Sequence, residues 1–211
     1  MDTTKFKSTP IDDGRKVKRD EKIFRVVYAG SFSPGYDFDQ VFRAAKLLEK
    51  HPDIQIILQG KGELLPYMEK TKNKLKVRNV KILAKALKRE EVAKLLSKAD
   101  SLLLPLRDFG KPYLGISSKL YEYQAVGKPI ICCAEGQPAD YVKYTQSGII
   151  VKPGDYTQLA KAILLLKENP NLARKLGKNG MVFVMKNLTI GAIGAKMKSV
   201  LMQTLTYVNK K

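Results

Sequence analysis

Six short apolar runs, each closed by a loop and most of them followed by a helical pattern, constrain this chain more than any other feature of it. The runs are Phe24 to Ala29 (FRVVYA), Ile54 to Leu58, Val80 to Leu83, Ser101 to Leu104, Pro129 to Cys133 and Gly148 to Val151. They are rich in β-branched and large apolar side chains and too short to be helices. Gly30 closes the first run, and beyond its Ser-Pro-Gly loop Phe38, Val41, Phe42, Ala45 and Leu48 share one helical face. Gly60-Lys61-Gly62 and a lysine-rich helical stretch follow the second run, and a helix near Arg89 to Lys98 follows the third. Asp155 opens a helix with Leu159, Ile163 and Leu166 on one face, and two more helical stretches begin near Asn171 and Thr189. Continuous apolar runs belong to strands buried on both faces, and regular alternation of strand and helix belongs to a parallel sheet. The predicted fold is α/β: a doubly wound parallel sheet with helices on both faces and a helical C-terminus.

Residues 1–22 alternate charges with few large apolar side chains and read as a linker, leaving residues 23–211 as one domain. A chain of 211 residues that is 44% hydrophobic can bury a sizeable core. Its apolar runs fall far short of the roughly 20 residues that cross a bilayer, and its first residues lack the apolar core of a secretion signal, so the expected location is cytoplasmic. The adjacent Cys132 and Cys133 cannot staple distant segments and read as core filler, and one histidine with two adjacent cysteines does not supply a zinc site. His51 lies in a Pro-containing connection and reads as an exposed turn residue.

The net charge of +19, from 39 Lys and Arg against 20 Asp and Glu, implies polyanionic company. Nucleic acid, an anionic membrane face and phosphorylated ligands all fit. Basic residues spread over helical stretches at Lys70 to Lys76, Lys85 to Lys98 and Arg174 to Lys178 read as a solvated surface. The chain lacks the aromatic stacking platform or helix-turn-helix spacing of a nucleic-acid reader, so no specific nucleic-acid partner is expected.

In a doubly wound sheet, ligands sit beyond the carboxyl ends of the strands, where helix N-termini offer N–H groups to anions. The loop GSFSPGYDFDQ, Gly30 to Gln40, has that position, yet neither common phosphate fingerprint occurs in the chain. Asp37 and Asp39 have the spacing of a metal-holding Asp-x-Asp. Asp37 is equally placed to N-cap a helix, with Gln40 completing a capping box, and the cap is the favoured reading. The stretch SSKLYE poses a sharper choice. Ser118 and Lys119 precede Glu122 by four and three residues and share its helical face. Such a face can hold phosphate on the serine hydroxyls, Lys119 and the helix N-terminus, with Glu122 taking a ribose diol. It is equally a capped surface helix with a Lys119–Glu122 ion pair, and residue types alone do not decide between the two.

In order and spacing, DTTKF, YAGSF, IQIILQGKGE, KADSLLLPL, SSKLYEYQAVGKPIICC and SGIIVKPGD resemble the donor-binding, C-terminal half of glycosyltransferase family 4, the group 1 glycosyltransferases, over almost the whole chain. That family has the GT-B fold of two facing Rossmann-like domains. The resemblance implies transfer of a hexosyl or N-acetylhexosaminyl group from a UDP- or GDP-sugar to a glycan or lipid-linked acceptor, usually with retention and without an obligatory metal or other cofactor. Glu122 falls on the second of two family glutamates, the one expected to hold the ribose, and the first falls on Leu114. The family's Arg and Lys after the first strand fall on Ser31 and Tyr36. A branch resembling amino-sugar transferases of surface-polysaccharide assembly shares the Ser-Lys-Leu/Ile-x-Glu-Tyr block, and there Lys119 and the helix N-terminus supply the positive field.

The resemblance and the strand-end positions together give Gly30, Ser31, Ser33, Gly60, Lys61, Lys85, Ser117, Ser118, Lys119, Leu120 and Glu122 as expected donor-binding residues, with no catalytic residue and no metal ligand assigned. The N-terminal acceptor-binding half is expected in a longer chain or a partner subunit, so this chain alone is expected to bind donor and transfer little. The basic faces are expected near an anionic membrane surface. A nucleotide-binding or scaffold module without chemistry and a basic nucleic-acid binder are the competing expectations.

Overall fold

The structure, a computed structural model, describes residues 23–208; the expected linker lies outside the described residues. The elements are β1 (Phe24–Ala29), α1 (Phe38–Leu47), β2 (Ile54–Gln59), α2 (Leu65–Lys74), β3 (Val80–Leu83), α3 (Arg89–Ser97) and β4 (Ser101–Pro105). They continue with α4 (Ser118–Ala125), β5 (Ile130–Cys133), α5 (Gln137–Thr145), β6 (Gly148–Val151), α6 (Tyr156–Glu168), α7 (Pro170–Asn187) and α8 (Ile190–Val208). The strands form one all-parallel sheet in the order β3-β2-β1-β4-β5-β6.

Successive strand residues point to opposite faces, so each strand feeds two cores. Val26, Tyr28, Ile56, Leu58, Leu103 and Cys133 join the layer under α1 and α6. Val27, Ala29, Ile57, Leu102, Leu104 and Cys132 join the opposite layer, under α3, α4 and α5. The two cysteines therefore face different cores as free thiols, and burial pushes Cys132 up to about 12. The expected α1 face of Phe38, Val41, Phe42, Ala45 and Leu48 is fully inside.

Two local expectations need correction. Asp37 does cap α1, accepting from the Gln40 N–H at 3.1 Å, but Gln40 does not complete the box. Its amide is buried, donating to the Leu106 carbonyl and accepting from the Gly154 N–H, so it ties the loops after β4 and β6 together. His51 is half-buried, closing a 3-10 turn over Leu48–Lys50.

The sheet reverses its winding between β1 and β4. These strands share only the pairs Val26↔Ser101 and Val27↔Leu102, whereas β1 runs in register with β2 over its whole length. Where β1 and β4 part, the Tyr123 hydroxyl accepts from the Ala29 N–H at 3.2 Å and donates to the Leu103 carbonyl at 3.3 Å. Burial holds this phenol well above its ordinary pKa, so it remains a donor. Tyr123→Phe should leave two buried backbone groups unpaired and lower stability by about 1–3 kcal/mol in urea unfolding; an unchanged midpoint would contradict the bridge.

Candidate functional site

The crevice opened by this divergence lies at the carboxyl ends of β1 and β4, the position where doubly wound sheets bind ligands. Its floor is backbone. β1 runs out into Gly30 and β2 into Gly60, and the Gly30 N–H donates to the Gln59 carbonyl at 2.9 Å. A Cβ on Gly60 would stand 1.7 Å from the Gly30 carbonyl oxygen, at a φ of +154° that disfavours L side chains. The loops are laced further by Phe32 N–H to the Lys61 carbonyl at 2.8 Å and Leu64 N–H to the Phe32 carbonyl at 3.0 Å.

Lys119 lies over this floor. A Cβ on Gly30 would meet its Cε at 2.2 Å, so the missing side chain is the space the lysine occupies. The Lys119 Nζ donates to the Tyr36 hydroxyl at 2.9 Å and lies 5.0 Å from the Tyr36 ring centroid and 5.9 Å from that of Tyr28. Tyr28 is itself fixed, donating to the Ser31 carbonyl at 2.6 Å, and burial raises its pKa so that it stays neutral beside the ammonium.

The loop carrying Tyr36 is held from across the crevice. The Gly35 carbonyl accepts from the Arg107 N–H at 3.0 Å and the Tyr113 hydroxyl at 3.1 Å, and the Asp37 N–H donates to the Pro105 carbonyl at 2.8 Å. Arg107 reaches the Tyr36 carbonyl through Nη2 at 3.5 Å and keeps a buried Nε with no hydrogen-bond partner.

Helix α4 brings the remaining candidates. Ser117 occupies the N-cap position with extended backbone, but its side chain makes no capping bond. The N–H groups of Ser118 and Lys119, in the first turn, have no intrahelical carbonyl to bond. Glu122, one turn deeper with its side chain 30% exposed, has its Oε1 at 3.6 Å from Nη2 of Arg89, at the start of α3. The Lys119–Glu122 ion pair is therefore not formed: Lys119 is taken by Tyr36, across 83 residues of sequence, and Glu122 by Arg89.

Gly30, Gly60, Lys119 and the α4 N-terminus meet at the crevice, and the loop serines Ser31 and Ser33 lie respectively exposed and half-buried on the 30–36 turn. Leu120 contributes no side chain, being fully buried with its N–H donated to the Ser117 carbonyl at 3.0 Å. Lys61 and Lys85 are exposed, and Lys85 stands beyond β3, two strands from the divergence, with its carbonyl accepting from Gln59. Sequence reasoning did not single out Arg89, Arg107 or the anchoring role of Tyr36. The position of Arg107, two residues beyond β4, was the available signal.

The arrangement offers a fixed cation and free N–H groups to an anion, and a carboxylate one helical turn away to paired hydroxyls. Asp37 is committed to its cap and Asp39 to Arg43 at 2.8 Å.

The sheet order and switch-point crevice define a Rossmann-like, doubly wound α/β domain. The chain belongs to the group 1 glycosyltransferases: the family described as "Glycosyl transferases group 1" matches residues 11–182. It is 26% identical over 160 residues to an uncharacterized glycosyltransferase of Methanocaldococcus jannaschii, covering 76% of this chain and 43% of that protein. The fold is similar to sucrose-phosphate synthase from Thermosynechococcus elongatus, with a TM-score of 0.78 at 22% identity, covering 98% of this chain and 51% of that one. It is also similar to Anabaena HepE solved with UDP-glucose, with a TM-score of 0.74 at 17% identity, covering 96% and 56% of the two chains. The chain thus spans about half the length of these relatives.

A double-mutant cycle of Lys119→Ala and Tyr36→Phe should give a coupling of about 0.5–1.5 kcal/mol in urea unfolding, from the hydrogen bond alone, because phenylalanine keeps the ring face under the ammonium. Additive losses would contradict the contact.

Proposed function

We propose that this chain is the donor-binding half of a group 1 glycosyltransferase, holding a nucleotide-activated sugar in the crevice beyond β1 and β4. The observation that carries this reading is Lys119, fixed by Tyr36 over the bare backbone of Gly30, at the N-terminus of the helix that also bears Glu122.

Each part has a task. Glycine at position 30 leaves room for Lys119, and Lys119 with the Ser118 and Lys119 N–H groups neutralises the diphosphate. The countercharge comes from α4: where the family's loop cations would stand, Ser31 gives a carbonyl to Tyr28 and Tyr36 gives its hydroxyl to Lys119. Glu122 accepts two hydrogen bonds from the ribose diol, with Arg89 standing beside the carboxylate. UDP is the nucleoside diphosphate we favour, because HepE, of like fold, was solved with UDP-glucose. Transfer to a glycan or lipid-linked acceptor, with retention, requires a facing half to close over the donor, since a held geometry and an excluded solvent supply much of such a rate.

A second reading, a donor-binding module without chemistry, is favoured by one observation: Leu114, on the crevice loop at the place of the family's first glutamate, is apolar and 89% exposed.

A thermal-shift screen with UDP, GDP, ADP and their sugars tests donor binding. Ligand at 100 times its Kd should stabilise the fold by about 2.7 kcal/mol, a rise of a few degrees in Tm. Lys119→Ala and Glu122→Ala should each abolish most of the rise. No response to any nucleotide, or a response that both variants keep, would overturn the proposal.

With Asp37 and Asp39 otherwise engaged, UDP binding should survive EDTA undiminished in calorimetry. A loss of affinity on chelation would contradict the assignment of countercharge to Lys119 and α4.

A further inference from the structure

The run from residue 70 to residue 81, which closes α2 and enters β3, carries Lys70, Lys72, Lys74, Lys76, Arg78 and Lys81 and no carboxylate. It lies beside an open edge of the sheet. β3 pairs with β2 and with no other described strand. The Asn79 and Leu83 carbonyls accept from the Ile56 and Gly60 N–H groups at 2.9 and 3.1 Å, so alternate residues of β3 turn their backbone groups toward β2. Val80 and Ile82 therefore turn theirs outward. Their side chains lie against the core layer under α1, Val80 buried and Ile82 half-buried.

A groove follows this edge, walled by Lys72 of α2, by Arg78 and Lys81 and, from β2, by Gln55. Glu69 is its one carboxylate, and among the described residues neither Lys72 nor Lys81 forms an ion pair. The groove thus presents the outward N–H and C=O groups of two strand residues between cationic walls. A nucleic acid or a polyphosphate would answer the charge and leave those backbone groups without partners. An extended strand rich in Asp and Glu answers both.

Nearer occupants do not fit. The facing half proposed above closes over the carboxyl ends of the strands, whereas this groove lies toward their amino ends: Val80 opens β3, Gln55 is the second residue of β2, and Lys72 stands in the last turn of α2. Residues 1–22 hold seven Lys and Arg against five Asp and Glu, and a second copy brings a charge of +19, so like charge opposes both.

We propose that the open edge of β3 takes up an extended acidic segment of a partner protein as a seventh strand. Val80 and Ile82 make the backbone bonds, and Lys72, Arg78 and Lys81 meet the carboxylates of the segment. The proposal is independent of donor binding, and its test uses no nucleotide.

The probe is a blocked eight-residue peptide that alternates glutamate with valine and threonine. A twin with proline in place of each valine and threonine keeps the charge but pairs poorly with a strand, and polyphosphate supplies charge alone. On the isotopically labelled chain, the first peptide should shift the Val80 and Ile82 amides most and slow their hydrogen exchange at least tenfold. The proline twin should bind at least tenfold more weakly. Lys81→Glu should keep the wild-type Tm, because the position is exposed, and should lose at least tenfold in affinity for the peptide. Absence of protection at Val80 and Ile82, equal binding of the proline twin, or undiminished binding by Lys81→Glu would overturn the proposal. So would polyphosphate binding as tightly as the peptide, which would make the groove a site for anions of any kind.

Discussion

The meeting of Gly30, Gly60 and Lys119 is the contact on which the rest of the molecule depends. Two strand ends approach until a methyl group on Gly60 would collide with the Gly30 carbonyl oxygen, and the space left by the side chain absent from Gly30 is filled by a lysine from a helix far along the chain. This contact is possible only because β1 and β4 separate after two residue pairs, and the separation is tolerated only because Tyr123 satisfies the groups it exposes. Strand divergence, a buried phenol and two glycines thus act as one device that places a cation over exposed backbone.

Positive charge is abundant in this molecule, and position decides what it does. Most of the basic residues lie on exposed faces, where solvent screens them. Lys119 differs because two aromatic rings and a hydroxyl hold it half-buried at a helix N-terminus. Arg107 stands beside the same loop, and Arg89 beside Glu122, so Lys119, Arg107 and the Arg89–Glu122 pair line the crevice. That balance favours a ligand that is anionic at one end and rich in hydroxyl groups at the other.

The sheet was legible in the sequence because strands buried on both faces must be apolar without interruption, and each of the six runs appears within a residue of its expected limits. The family was legible because the loops after those strands keep a fixed order, and the group 1 match agrees with it. The side-chain partners at the site were not legible. Lys119 and Glu122 are neighbours on one helix, which made their ion pair the natural local expectation, yet tertiary contacts to Tyr36 and Arg89 take both. Gln40 escaped in the same way, its capping role displaced by bonds to Leu106 and Gly154. Arg89 carries no local signal that separates it from the rest of a chain with 39 basic residues, and Arg107 has only its place just beyond β4. Local rules predict what a side chain does when nothing distant competes for it, and the crevice is where distant groups compete.

We propose that an anionic nucleotide binds beside Lys119 and Gly30 at the N-terminus of α4. Amide chemical-shift mapping with UDP on the isotopically labelled chain tests it most directly. The largest shifts should fall on Gly30, Ser31, Gly60, Ser118 and Lys119. Shifts centred instead on the basic groove between α2 and β3, lined by Lys72, Arg78 and Lys81, would contradict it.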